Sequence, residues 1–211
     1  ATSTHISSSA KDSSQPFTLE SLGEGIIFNN STGVDDAGTL NSDGSLVSGS
    51  QDNLRWEVSN INNSKGTFTL SVRRGDDSNK EKVVLETFTN LSLDPNSSNY
   101  ISARIGDQVQ TISGDSTYVQ LTGSYANRSN YIRVASVRLQ TLNYLGNDGT
   151  SVNADSAGVS YSGSLPVVGS GSFHGATGDI VAGGDNYYNG FDADTQGLAG
   201  SDYNNVITLL G

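Results

Sequence analysis

The clearest pattern along the chain is an alternation of apolar and polar residues in its middle third. Apolar residues occupy every second position over 54–59 and again over 68–73. A period of two is typical of strands that bury one face. The polar run GDDSNKE, at 75–81, then separates the second stretch from the apolar KVVLETF, at 82–88. This arrangement predicts a β-hairpin around the polar run.

One short helix is predicted near 96–105, because helix-start and helix-stop signals occur there in order. Asp94 or Asn96 can act as the N-cap, with a proline between them that suits a first helical position. Two isoleucines four residues apart share one helical face, Arg104 lies in the last turn, and Gly106 follows as a stop.

Further strands are predicted over 116–121 and 130–140. The second of these carries apolar residues on both faces, so we expect part of it to be covered on both sides. The rest of the chain is dominated by Gly, Ser, Asn, Asp and Thr, which favour turns and loops. The sequence therefore predicts an α+β, mainly β fold with a central sheet and long polar loops.

The organisation along the chain predicts one domain with a polar leader. Residues 1–16 are rich in Ser and Thr, and we expect a flexible N-terminal lead-in or a single peripheral strand there. Residues 17–211 are expected to form a single β-rich domain. Because the chain lacks Met and closes on the apolar run NVITLL, we expect it to be a fragment of a longer protein.

The net charge, the length of the apolar runs and the cysteine content exclude several classes of partner and site. The formal charge of −11 argues against a surface that binds phosphates, so no nucleic-acid partner is expected. No apolar run reaches the length of about 18 residues that a membrane-spanning helix needs, so no membrane partner is expected either. Cysteine is absent, which excludes disulfides and thiolate metal sites.

Candidate catalytic residues are few. His5 and His174 lie in polar or glycine-rich surroundings without a neighbouring nucleophile motif, and we interpret both as loop histidines. Glu57, Glu86 and Asp94 could in principle supply a pair of carboxylates of the kind that glycosidases use. A charge that alternates with apolar residues on a strand is more often a solvent-facing side chain, and we assign no catalytic residue.

Three loops rich in Asp, Asn and Gly raise a calcium hypothesis, since calcium takes six to eight oxygen ligands. They span 35–44, 146–155 and 184–194. None has the spacing of an EF-hand, and none forms the nonapeptide repeats of calcium-binding solenoids. We interpret them as solvated turns and predict no metal and no cofactor.

The block FTLSVRRGDDSNKEKVVLETFTNLSLDPNSSNYISARIGDQ, at 68–108, resembles the contractile tail sheath proteins of bacteriophages. Those proteins carry a strand of the F-x-L-x-V-R type, a turn, and a VLE segment that leads into N-L-S-L-D-P. An N-Y-I and a helix that ends in Ile-Gly follow. Outside this block and the terminal VITLLG the resemblance is weak.

The resemblance implies a structural role without catalysis. Sheath subunits stack as hexameric rings around a tail tube and rearrange together during genome delivery. The implied partners are other sheath subunits and the tail tube protein, and the implied location is the virion, assembled in the cytoplasm of a bacterial host. The resemblance also allows this piece to be monomeric when isolated.

Two other functions stay open at this point. A β-sandwich adhesin or carbohydrate-binding module could use the loop aromatics Tyr187, Tyr188 and Phe191, which offer apolar area and hydroxyl groups. A glycoside hydrolase would use Glu57 or Glu86 as its acid. A glycan-binding screen and Gln substitutions would separate these from a scaffold.

Overall fold

The computed structural model describes residues 2, 3, 6–9, 15–22, 51, 53–112, 118–174, 187, 188, 191 and 192. The fold is mainly β with antiparallel sheets and one short helix, which confirms the predicted class. The strands are β1 Thr2–Ser3, β2 Phe17–Ser21, β3 Leu54–Asn62, β4 Thr67–Arg74, β5 Val84–Ser92, β6 Val109–Ile112, β7 Val119–Thr122, β8 Ile132–Val137, β9 Gly169–His174, β10 Tyr187–Tyr188 and β11 Phe191–Asp192. The α-helix α1 spans Ile101–Ile105, and a 3₁₀ helix spans Tyr161–Ser164.

Seven of these strands form one antiparallel sheet in the order β5-β4-β3-β9-β1-β2-β8. The predicted hairpin is confirmed, because β4 and β5 pair on either side of the polar run. Strand β3 pairs with β4 on one side and with β9 on the other. The remaining strands form two separate pairs, β6 with β7 and β10 with β11.

The large sheet curls strongly around its core. Phe17 on β2 and Phe68 on β4 stack with ring centroids 5.5 Å apart. Four strand-to-strand steps separate β2 from β4, which in a flat sheet would amount to roughly 19 Å. The two halves of the sheet therefore face each other, and the edge strands β5 and β8 approach across a seam.

The core fills the concave side of the curled sheet. It takes alternate residues of the strands, because successive strand side chains point to opposite faces. The buried hydrophobic members are Ile6, Phe17, Leu19, Leu54, Trp56, Val58, Phe68, Leu70, Val72, Leu91, Leu93, Tyr100, Ile101, Ile105, Ile132, Val134, Tyr144, Leu165 and Phe173. On β8 the buried face is that of Ile132 and Val134, while Ala135 and Ser136 are exposed.

The helix is shorter than the sequence predicts. It begins at Ile101 after Tyr100, which makes no side-chain cap, so the predicted start near residue 96 is wrong. Asp94 instead accepts a hydrogen bond from the Asn96 amide at 3.0 Å and closes a turn ahead of the helix. Local side-chain bonds of this kind compete with helix formation. The predicted stop is confirmed, since the Gly106 amide bonds the Ser102 carbonyl at 2.9 Å with φ of 110°.

Part of the lead-in predicted over 1–16 belongs to the sheet. Strand β1 lies between β9 and β2, and the Leu19 amide donates to Ser3 Oγ at 3.1 Å. Ile6 is fully buried as well. Backbone pairing recruits this polar segment, which its composition alone does not indicate. Among the described residues, no helix has the length and apolarity to cross a bilayer.

Candidate functional site

Glu57 and Glu86, two of the three carboxylates considered as catalytic candidates, do not converge. Glu57 pairs with Ser71, and Ser71 pairs with Thr87, so these residues share one face of the sheet. Glu86 directly precedes Thr87 on β5 and therefore points to the opposite face. A pair of carboxylates across one substrate cleft cannot be built from Glu57 and Glu86.

Glu86 on β5 links this edge strand to the turn that precedes the opposite edge strand, β8. It accepts hydrogen bonds from Ser129 Oγ at 2.5 Å and from the Asn130 amide at 3.0 Å. The Ser129 hydroxyl in turn accepts from the amides of Tyr131 and Ile132, where β8 begins. The carboxylate is thus engaged by the turn that leads into the opposite edge strand, so the interpretation of Glu86 as a solvent-facing strand charge is wrong.

Glu57 belongs to an ionic network on the convex face of the sheet. The centre of the network is Asp77, whose two oxygens accept from Arg73 Nε at 2.6 Å and Nη2 at 2.8 Å. Asp77 also accepts from Arg55 Nη1 and from the Val83 amide, both at 2.9 Å. Both arginine side chains and the Asp77 side chain are fully buried. With four donors, Asp77 has all its acceptor positions in use.

Glu57 closes the outer side of this network. It accepts from Arg73 Nη1 at 2.8 Å and from Lys82 Nζ at 2.6 Å. Burial alone would raise the pKa of the Glu57 carboxyl, but the hydrogen bonds and charges of Lys82 and Arg73 outweigh it. The pKa of Glu57 therefore lies below its ordinary value, the reverse of what a general acid at neutral pH needs.

In the loop at 146–155, Asp148 closes its own turn. One of its oxygens accepts from the amides of Thr150 and Ser151, and the other accepts from the Ser151 hydroxyl. These bonds, the Ser151 hydroxyl first, hold the pKa of Asp148 well below its usual range. Within the described residues, no three His, Asp or Glu side chains converge to hold a metal ion.

Several other candidates lie outside the described residues or side chains. His5 and the loop 35–44 are among them. The backbone of His174 ends β9 opposite Thr2. In the loop 184–194, the backbones of Tyr188 and Phe191 pair with each other, and Asn-Gly lies between them in the sequence. The structure does not describe the side chains of these aromatic residues.

The most conspicuous exposed feature is the pair β6–β7. Its two strands bond each other and no other described strand. The exposed fractions are 60% for Tyr118, 52% for Val119 and 59% for Leu121. The described residues 108–112 and 118–127 carry no charged side chain, in a chain of formal charge −11. We call residues 108–112 and 118–125 the neutral hairpin.

The base of the neutral hairpin is held firmly. The Asp107 amide donates to the Tyr125 carbonyl at 3.0 Å, and the Tyr125 amide returns a bond to Asp107 Oδ1 at 2.7 Å. Asn127 exchanges two bonds with the backbone of Gln108. Directly beside it, the Arg128 amide donates to the Ile105 carbonyl, so the hairpin is anchored to the end of α1.

The strand that the sequence predicts over 116–121 overlaps β7, which spans Val119–Thr122. The sequence predicts neither the partner strand β6 nor the ionic network. The sequence does contain a signal that indicates this ionic network. Two arginines end β4, and an Asp-Asp pair follows in the turn, which brings opposite charges together. A comparison with known proteins finds no matching family profile, no matching curated protein and no matching solved structure.

Proposed function

We propose that the chain is a structural subunit, or a domain of one, of a bacteriophage contractile tail sheath. The block at 68–108 supports the sheath class, because it carries the order of strand, turn, strand, Asp-Pro turn and helix that is typical of those proteins. Its role is assembly with other subunits around a tail tube, without catalysis.

The neutral hairpin is the observation that carries the assembly role. An isolated two-stranded pair with exposed apolar side chains is marginal in water, and its outer edges can pair with another chain. Copies that each carry a formal charge of −11 repel one another at most surfaces. The described residues of the neutral hairpin carry no charge, and Asp115 lies in the sequence between its two strands. The uncharged strands are where two copies can approach at least cost. We therefore assign the neutral hairpin to contact with a neighbouring subunit.

The experiment is electron microscopy of the protein expressed from its complete open reading frame. Wild-type protein should form rings or tubes. Leu121→Lys places a charge in the neutral hairpin and should reduce assembly at least tenfold in sedimentation, since an unpaired charge buried at an interface is costly.

The matched control is Val168→Lys, because Val168 is 70% exposed and lies outside the neutral hairpin. It should assemble like the wild type. Absence of rings or tubes from wild-type protein under all salt conditions contradicts the sheath proposal. Assembly of Leu121→Lys at the wild-type level contradicts only the assignment of the hairpin.

A further inference from the structure

The ionic network contains one arginine whose donors are only partly used. Arg55 has no exposed side-chain surface, and its Nη1 donates to the Asp77 carboxylate and to the Asp77 carbonyl, both at 2.9 Å. Within the described part of the chain, Arg55 Nε and Nη2 have no hydrogen-bond partner. Buried donors are nearly always satisfied in folded proteins, so these atoms need an account.

A second orphaned group lies beside the first. Ser172 on β9 is the direct cross-strand partner of Arg55 on β3, so both side chains emerge on the same face of the sheet. Ser172 is fully buried, and its Oγ also lacks a partner among the described residues. Two side chains with orphaned polar atoms thus leave neighbouring strands at paired positions on the same face.

The neighbouring Arg73 indicates what such an edge binds. Its Nε and Nη2, the same two atoms, donate side by side to the two oxygens of Asp77 at 2.6 and 2.8 Å. This two-point geometry matches a carboxylate or another planar group with two oxygens. Asp77 cannot serve Arg55 in the same way, because its oxygens already accept from four donors.

The net charge of the ionic network indicates that a ligand bound there would carry one negative charge. Arg55, Arg73 and Lys82 supply three cations, whereas Asp77 and Glu57 supply two carboxylates. The network as a whole therefore carries one excess positive charge, and of its three cations only Lys82 is exposed, at 43%. Burial first, and then the charge of Arg73, lower the pKa of Arg55, as expected for an incompletely compensated cation.

We propose that Arg55 Nε and Nη2, together with Ser172 Oγ, form a binding site for a small planar monovalent oxyanion of the carboxylate class. The ligand is small because the Arg55 side chain has no exposed surface and access requires local opening. The bound anion neutralises the network and ties β3 to β9. This site does not depend on the proposed assembly role.

The direct test is a formate titration of the ¹⁵N-labelled full chain, followed by the arginine Nε–H cross-peaks in NMR spectra. Formate should shift the Arg55 cross-peak in a saturable way, while sodium chloride at equal ionic strength should not. The cross-peak of Arg133, which is paired with Glu20, is the internal control and should not move. An unmoved Arg55 cross-peak, or an equal shift with chloride, overturns the proposal.

Thermal unfolding supplies a second readout. Ligand-linked stabilisation should raise the Tm of the wild type by roughly 3–6 °C for each tenfold increase of formate above its Kd, relative to chloride. Arg55→Lys keeps the charge but loses the two-point edge, and should abolish the increment. Ser172→Ala keeps the arginine and should weaken formate binding severalfold, which preserves the test if Arg55→Lys does not fold. Equal formate increments in wild type and both variants contradict the site.

Discussion

The ionic network gives the sharpest prediction, through the substitution Asp77→Asn. The Asp77 side chain is fully buried and accepts from Arg55, from Arg73 through two atoms, and from the Val83 amide. Asparagine keeps the shape but removes the charge, and one of its two ends becomes a donor. That end must face a guanidinium or an amide that also donates.

The expected cost follows from the burial of both partners. Removing one side of a buried ion pair leaves an uncompensated charge and costs about 3–5 kcal/mol. The whole domain is stable by about 5–15 kcal/mol, so the substitution removes a large part of the free energy of unfolding. At roughly 2–4 °C per kcal/mol for a chain of this size, the Tm should fall by roughly 6–20 °C.

The assay is urea unfolding followed by the fluorescence of Trp56, the only tryptophan, which is buried on β3 beside Arg55. The matched control is Asp76→Asn, because Asp76 pairs with Arg74 at the surface, where such a pair contributes about 0–1 kcal/mol. Equal losses for the two variants, or a loss below about 1 kcal/mol for Asp77→Asn, would refute the reasoning.

A double variant tests whether the cost is electrostatic. In the Asp77→Asn background, two buried guanidinium groups face each other without a carboxylate between them. Arg55→Met removes one of these charges and should recover part of the lost free energy of unfolding, since apolar replacements of buried ionic groups are often tolerated. A further loss of similar size would instead indicate that Arg55 stabilises the fold by packing alone.

Two further predictions concern backbone space and pH. Gly66→Ala should cost roughly 2–5 kcal/mol in urea unfolding, because φ is +67° and a Cβ would lie 2.5 Å from Tyr144 Cδ2. Gly149→Ala, with φ of +68° and nothing within 4 Å, should cost only about 1–2 kcal/mol, and equal costs would contradict the steric argument. The lowered pKa of Glu57 gives a stability contribution that is present above the ordinary value of 4.5 and is lost as pH falls through the lowered value. The difference in unfolding free energy between wild type and Glu57→Gln should therefore shrink below that pH, and a pH-independent difference would contradict the role of the ionised carboxylate.

Strands β3 and β4 could be predicted because each carries buried apolar residues at alternate positions, and that period is visible without tertiary context. Strand β5 is mostly exposed or half-buried, and it could be predicted only as the partner of β4 across the polar run. The end of α1 could be predicted because Gly106 adopts a positive φ that other residues rarely adopt. The helix start could not, because Asp94 forms the same kind of hydrogen bond in a turn as in a cap.

The strands β1 and β9 show what the pattern cannot predict. The segment Gly169–His174 has one apolar residue with a described side chain, Phe173, yet it lies in the middle of the sheet order. Its pairing with β3 is made by backbone groups, which every sequence carries. The ionic network was not predicted for a related reason. Charged residues at alternate strand positions indicate a solvent-exposed face, unless it is known that another segment of the chain covers that face.

The polar residues that first suggest chemistry turn out to join parts of the fold, and this bears on the proposed role as a sheath subunit. Glu86 links the sheet edges, Glu57 on β3 binds Arg73 and Lys82, and Asp94 closes the turn ahead of α1. Directional bonds of this kind resist distortion, because a hydrogen bond weakens steeply as its distance and angle depart from the preferred values. The exposed neutral hairpin, in contrast, can leave one neighbour and meet another at little internal cost. A subunit built this way suits rearrangement by rigid-body rotation about its contacts, which is the behaviour that a contracting lattice requires.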